Sequence, residues 1–186
     1  MRKFLLLILL LAQYAFSQSY ENNAKCVRTK NLSEQQRLNQ FPFSKTSQIK
    51  IISFKDNQKG VSGEALIKHI TSIKLGKDVF NSELYNETAT LTSEQINKLT
   101  DIIFNFTYKK MPYAAEDIKC YIPRNAVLFL DADNRIIAYL ELCFSCKHFR
   151  SSDKRFSIGE YCDTKYDMLK TVFENSGIKY GISEIK

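Results

Sequence analysis

The chain contains few of the residues that catalytic motifs need. Among its 186 residues there are only two histidines and no tryptophan. It has no G-x-S-x-G or H-E-x-x-H motif and no phosphate-binding glycine-rich loop. His69 and His148 are far apart in sequence, which argues against a serine or cysteine triad. The sequence therefore favours a protein that is not an enzyme, and it identifies no catalytic residue.

Glycine and proline are also scarce, with six and three residues. This composition argues against a long disordered tract, and the length suits one domain with a sizeable core. The formal net charge is +7. However, no basic stripe alternates with aromatic residues as single-strand binders require, so we expect no nucleic-acid partner. The densest basic segment, 147–155, is interpreted as a solvated loop, with an anionic ligand or a membrane surface as the alternative.

The first residues have the pattern of a signal peptide. A basic start is followed by an apolar run from Phe4 to Leu11 and by small residues, Ala15 and Ser17. The apolar run is shorter than the roughly 20 residues that a bilayer-spanning helix needs. We therefore predict a signal peptide over residues 1–17, a secreted or periplasmic location, and no transmembrane segment after cleavage.

Hydrophobic periodicity divides the rest into a polar N-terminal segment, residues 18–47, and a single domain, residues 48–186. Apolar residues at helical spacing predict two main helices, and β-branched runs predict strands. A central hairpin makes the sheet mostly antiparallel, so the predicted fold class is α+β. The predicted helices span 92–105 and 164–176, and the predicted strands outside the hairpin span 48–55, 83–91 and 178–185.

The predicted hairpin brings cysteines together. Two apolar runs flank a turn at residues 131–134. Folding them about this turn places Phe129 opposite Ile137 and brings Cys120 near Cys146, because opposed residues of paired strands lie only about 5 Å apart. The open end of the hairpin is therefore where we expect sulfur atoms to meet.

The second hairpin strand is apolar on both faces apart from Glu141. Such a strand is typical of the centre of a sheet that is covered on both sides. A carboxylate there needs a partner, and Arg124 lies almost opposite in the predicted register. We therefore expect an internal ion pair between Glu141 and Arg124.

The chain has five cysteines, all beyond the predicted signal peptide. Exported proteins meet an oxidising environment in which disulfides persist. Because five is odd, at least one cysteine stands outside intramolecular disulfides. Cys26 lies alone in the polar segment and is taken as the outsider. The disulfide candidates are Cys120, Cys143, Cys146 and Cys162.

Three interpretations of these four cysteines are open. In the first, Cys120 pairs with Cys146 or Cys143, and Cys162 pairs with the one left over. In the second, all four bind zinc, although only one C-x2-C pair is present where zinc ribbons have two. In the third, the C-x2-C pair performs thiol redox chemistry, although no helix is predicted after it to stabilise a thiolate.

Two motifs also carry a resemblance. These are Cys120-x-x-Pro123-Arg124-Asn125 and Glu141-x-Cys143-Phe144-x-Cys146, followed by the segment 161–166. Together they resemble a pattern in exported proteins of Bacteroidetes-type bacteria, over about residues 85–182. The resemblance implies that Cys120, Cys143, Cys146 and Cys162 belong together, and it implies no activity, ligand or catalytic residue.

The sequence thus predicts an exported, cysteine-cross-linked α+β domain that binds another molecule. The expected partner is a protein or a cell-envelope ligand, and no cofactor is expected. The alternative is a zinc-binding or thiol-redox protein that uses Cys120, Cys143, Cys146 and Cys162.

Overall fold

The computed structural model describes residues 22–55, 64–111 and 120–182. The predicted signal peptide lies outside these residues. Within these ranges there are seven strands: β1 Cys26–Arg28, β2 Gln48–Ser53, β3 Glu87–Thr90, β4 Phe106–Tyr108, β5 Asn125–Leu130, β6 Ile136–Cys143 and β7 His148–Ser151. The main helices are α1 Glu34–Leu38, α2 Glu64–Ser72, α3 Ser93–Asn105 and α4 Lys165–Asn175, with 3-10 turns at Phe43–Lys45 and Ser82–Leu84.

Five strands form one sheet in the order β3-β2-β5-β6-β7, and every neighbouring pair is antiparallel. Strands β1 and β4 form a separate antiparallel pair. The β5–β6 hairpin occupies the middle of the larger sheet. The predicted α+β class, with a mostly antiparallel sheet around a hairpin, is therefore confirmed.

The sheet is covered on both faces. One face packs against α3 and α4, which bury Leu99 and Leu169 in the same cluster as Val127. The other packs against α2, which buries Leu66 and Ile70. Strand β5 is buried at all six positions because it lies under both layers.

Local sequence signals place the helix ends. Thr92 and Gln95 form a capping box at the start of α3, as their spacing predicts. Gly177 follows α4 with φ 87°, the left-handed conformation that glycine adopts without a Cβ clash. The two predicted helices correspond to α3 and α4, and both lie within one residue of their predicted bounds.

The hairpin register differs from the prediction by one residue. Phe129 pairs with Ala138 instead of Ile137. The pairing shifts between Phe129 and Leu130, where a β-bulge admits an extra residue next to the turn. Turn residue Asn134 takes φ 62° and donates its backbone N–H to the carbonyl of Asp131. The two runs and the turn are confirmed, and the residue-by-residue pairing is wrong.

Two further predictions are wrong. The predicted strand over 178–185 is absent from its described part, residues 178–182. The backbone N–H groups of Lys179 and Tyr180 instead donate to the carboxylate of Glu87, at 3.1 and 2.9 Å. The basic side chains of segment 147–155 are exposed, as expected of a solvated segment, but it is not all loop, because His148–Ser151 forms β7, an edge strand of the sheet.

Candidate functional site

The open end of the hairpin holds a disulfide between Cys120 and Cys146, with Cα atoms 5.7 Å apart. This pairing is one of the two predicted alternatives. It forms because the residues before β5 and after β6 lie side by side once those strands have paired. The disulfide fastens residues 120–124, here called the strap, to the turn after β6.

A second disulfide joins Cys26 to Cys162, with Cα atoms 4.9 Å apart. The prediction that Cys26 is the outsider is therefore wrong, as is any pairing of Cys162 within the hairpin cluster. Two hydrogen bonds support the contact: the Cys26 N–H donates to a carboxylate oxygen of Asp163, and the Asp163 N–H donates to the carbonyl of Ala24. The short strand β1 carries no periodic signal from which this docking could have been predicted.

Cys143 is the free cysteine, and it is fully buried. The Ile122 N–H points at its sulfur at 3.4 Å, and the Ser145 hydroxyl oxygen lies 3.5 Å away. The predicted four-cysteine cluster is thus divided between two disulfides and one thiol. Within the ranges that the structure describes, no three metal-ligating side chains form a group. The expectation of no cofactor stays a prediction.

A polar cluster around the buried Glu141 lies beside Cys143. Glu141 is 1% exposed, and the Tyr121 hydroxyl donates to its Oε2 at 2.5 Å. Arg150 pairs with Glu141 across β6 and β7, and its guanidinium carbon lies 4.2 Å from the centroid of the Tyr121 ring. The partner of Glu141 in the strap is therefore Tyr121, where the sequence predicted Arg124.

Burial governs the protonation of this cluster. It raises the pKa of Glu141, although the Tyr121 hydrogen bond and the charge of Arg150 act in the opposite direction. Burial and the nearby carboxylate raise the pKa of Tyr121. The Oε1 atom of Glu141 is buried without a hydrogen-bond partner among the described atoms. A carboxyl in this position retains its proton to a higher pH than an exposed one.

A cleft of about 910 Å³ opens between the N-terminal segment, α3 and α4. Its size falls in the range of small-ligand sites. The N-terminal segment supplies two arginines, α3 supplies most of the polar side chains, and α4 supplies its C-terminal turn. The lining residues are Arg28, Arg37, Thr92, Glu94, Gln95, Asn97, Lys98, Asp101, Thr171, Val172 and Asn175.

The floor of the cleft is ordered by charge pairing. Arg28 makes two hydrogen bonds to the carboxylate of Asp101, at 2.9 and 2.5 Å. Partial burial acts to raise the pKa of Asp101, but hydrogen bonds from Arg28 and Asn105 lower it overall. The buried Arg37 donates to the Thr100 hydroxyl at 3.1 Å and also to Asn97. These groups are therefore held in place before any ligand arrives.

The rim of the cleft offers groups that the described part of the chain leaves unpartnered. The side chains of Glu94, Lys98 and Asn175 are exposed and accept or donate no hydrogen bond within the described residues. The Gln95 side-chain amide donates to the backbone carbonyl of Asn175 at 3.2 Å, which leaves the Asn175 side chain uninvolved. Sequence reasoning missed this cleft, because its arginines come from a segment without periodic pattern.

Compared with protein-family models, curated proteins and solved structures, the chain gives no match. Over the stretches that the structure describes, no helix combines the length and the apolar character needed to cross a bilayer.

Proposed function

We propose that the protein is an exported, disulfide-cross-linked binding domain whose cleft receives a short polar segment of peptide chain. The observation that carries this proposal is the cleft itself: a ligand-sized opening with a pre-ordered floor and a rim of unpartnered polar side chains. The proposed ligand is part of a protein or a peptide component of the cell envelope.

The chemistry of the lining favours a peptide over an apolar ligand. Among the described residues that line the cleft there is no aromatic ring, and Val172 is the one aliphatic side chain. Side-chain amides of Gln95, Asn97 and Asn175 line it instead. A carboxamide carries the same donor and acceptor groups as a peptide unit. The Gln95 oxygen accepts from Thr92 and the Asn97 oxygen from Arg37, so these two side chains offer N–H donors to a ligand, and Asn175 offers both kinds of group. Glu94 and Lys98 add one charge of each sign.

The disulfide between Cys26 and Cys162 supports a binding role by holding one wall of the cleft. It ties the start of β1, and hence Arg28, to the residues just before α4. A wall that is already held by a cross-link loses less conformational entropy when a ligand binds, so less of the binding free energy is spent on ordering it. Two disulfides persist where the environment is oxidising, which supports export.

Nuclear magnetic resonance titration tests the proposal. Protein produced by export, with both disulfides formed, is titrated with blocked tetrapeptides of Ala, Ser and Gln, and with the same peptides carrying one Lys or Glu. We expect saturable shifts of the side-chain NH₂ signals of Gln95, Asn97 and Asn175. Glucose serves as the matched polar probe that is not a peptide.

Two variants locate the binding site. Lys98→Ala removes an ammonium at the rim and should weaken binding of the Glu-containing peptide several-fold, whereas Lys77→Ala, exposed outside the cleft, should not. If no peptide shifts the three amide signals, or if glucose shifts them equally, the proposed ligand class is wrong.

A further inference from the structure

Three sulfur atoms lie together at the open end of the hairpin, and they differ in accessibility. Cys143 is 0% exposed and Cys146 is 7% exposed, whereas Cys120 is exposed to solvent. The Ser145 hydroxyl oxygen lies 3.5 Å from the sulfur of Cys143 and 3.8 Å from that of Cys146. A single hydroxyl therefore lies within hydrogen-bond distance of both the free thiol and the disulfide.

We propose that Cys143 exchanges with this disulfide, so that the cross-link moves from Cys120–Cys146 to Cys143–Cys146. The Cys143 sulfur gives up its proton and attacks the Cys146 sulfur. The new sulfur–sulfur bond forms as the bond between Cys146 and Cys120 breaks. Cys120 leaves with the electron pair and takes up a proton. One disulfide and one thiol exist before and after, so no oxidant or reductant is consumed.

The local structure favours the attacking sulfur. The Ile122 N–H donates toward the Cys143 sulfur at 3.4 Å, which holds this sulfur beside the strap that carries Cys120. Cys143 is the last residue of β6 and Cys146 lies in the turn that follows, so only two residues separate the attacking sulfur from the disulfide. The titratable or charged groups that face Cys143 come from the strap, β6, β7 and α4: Tyr121, Glu141, His148, Arg150 and Tyr166.

The exchange transfers reactivity from the interior to the surface. Before it, the free thiol is buried and closed to reagents. After it, the free thiol is Cys120, which is exposed and precedes Tyr121 in the strap. The strap then keeps its hydrogen bond from Tyr121 to Glu141 but loses its covalent attachment to the turn. The protein would thus hold an exposed thiol able to enter a mixed disulfide with another molecule.

Alkylation of the folded protein tests this inference. Protein purified without reductant is incubated with iodoacetamide at pH 6.0 and pH 8.5, acidified, and digested with pepsin, since acid suppresses later exchange. We expect carbamidomethyl groups to accumulate on Cys120, together with a Cys143–Cys146 disulfide, and to accumulate more than tenfold faster at pH 8.5, where more thiolate exists. Label confined to Cys143, or an unlabelled Cys120 with its disulfide intact after prolonged incubation, would overturn the proposal.

Variants separate exchange from simple opening. Cys143→Ser retains the size of the side chain but removes the nucleophile, so Cys120 should stay unlabelled for as long as the variant remains folded by circular dichroism. Cys143→Ala provides the same test if the serine variant does not fold. Ser145→Ala retains all three sulfurs and should still give labelled Cys120. Labelling of Cys120 in a folded variant that lacks Cys143 would contradict the mechanism.

Discussion

The Nζ atom of Lys165 donates a hydrogen bond to the backbone carbonyl of Phe106 at 2.8 Å. A second bond goes to the carbonyl of Glu160 at 2.9 Å. The side chain is fully buried at the start of α4, and it joins that helix to β4. Burial lowers the pKa of Lys165 from its ordinary value of 10.5 to about 8. This side chain makes the stability of the fold depend on pH.

The first prediction concerns this lysine. Between about pH 8 and 10.5 the unfolded chain holds a proton on Lys165 that the folded chain has lost, so stability rises with pH in that window. The gain is at most about 1.4 kcal/mol per pH unit. Lys165→Met has no titrating group at this position and should therefore lack this dependence of stability on pH. Urea unfolding of both proteins at pH 7.0, 8.5 and 9.5 should show that the free energy of unfolding of the wild type, relative to that of Lys165→Met, increases with pH.

Measuring the difference between the two proteins cancels the contribution of tyrosines with raised pKa, such as Tyr166. Lys170→Met on the same helix provides the control and should show no such trend. A difference in the free energy of unfolding between wild type and Lys165→Met that stays constant from pH 7.0 to 9.5 would show that Lys165 is already unprotonated at pH 7.0 or is not buried.

The second prediction compares the two disulfides. Cys26 and Cys162 are 136 residues apart, and Cys120 and Cys146 are 26 apart. In the chain-entropy model a longer closed loop stabilises more, by about 4–5 kcal/mol for the first and about 3–4 kcal/mol for the second. Cys26→Ser should therefore destabilise the protein at least as much as Cys120→Ser in denaturant unfolding. A Cys26→Ser variant as stable as wild type would show that the disulfide between Cys26 and Cys162 does not stabilise the fold, contrary to this prediction.

The third prediction concerns thiol and metal content. The structure places one free thiol, Cys143, in a chain with two disulfides. Denatured without reductant, the protein should give one thiol per chain with a thiol-reactive dye and less than one zinc per chain by elemental analysis. Four or five thiols together with stoichiometric zinc would instead support the zinc-binding alternative.

The fourth prediction concerns Glu141, whose pKa is raised in the folded protein. In the folded protein the Glu141 carboxyl keeps a proton at pH values where the same carboxyl in the unfolded chain has lost it. The stabilising contribution is therefore complete below about pH 4.5 and is lost as pH rises through the folded pKa. Glu141→Gln stays neutral and can still accept from Tyr121. Relative to wild type, it should gain stability between pH 4.5 and 7.5 in urea unfolding.

Tyr121→Phe is the companion variant, because it leaves the Glu141 carboxyl buried without a donor from the strap. Loss of one partner of a buried hydrogen bond costs about 1–3 kcal/mol. Equal losses of stability for Glu141→Gln at pH 4.5 and 7.5 would contradict the proposed protonation.

The hairpin shows how far sequence reasoning reaches at short range. Its two runs, its turn and the meeting of Cys120 with Cys146 follow from residues close in the chain. The register does not, because the bulge beside Leu130 adds one residue and the apolar pattern of a strand buried on both faces fits either register. In the observed register Glu141 lies opposite Ala126 of β5. On the other side of β6 it lies opposite Arg150 of β7, and the Tyr121 hydroxyl reaches its carboxyl from the strap.

The sequence alone determined the α+β class, the helices α3 and α4 to within one residue, the capping box of α3 and the meeting of Cys120 with Cys146, because each depends on periodicity or on residues near in the chain. Only the tertiary structure decided the pairing of Cys26 with Cys162, the isolation of Cys143 and the cleft beside Asp101. These depend on where the N-terminal segment docks against α3 and α4. That docking is set by side-chain packing across more than a hundred residues, and no local pattern encodes it.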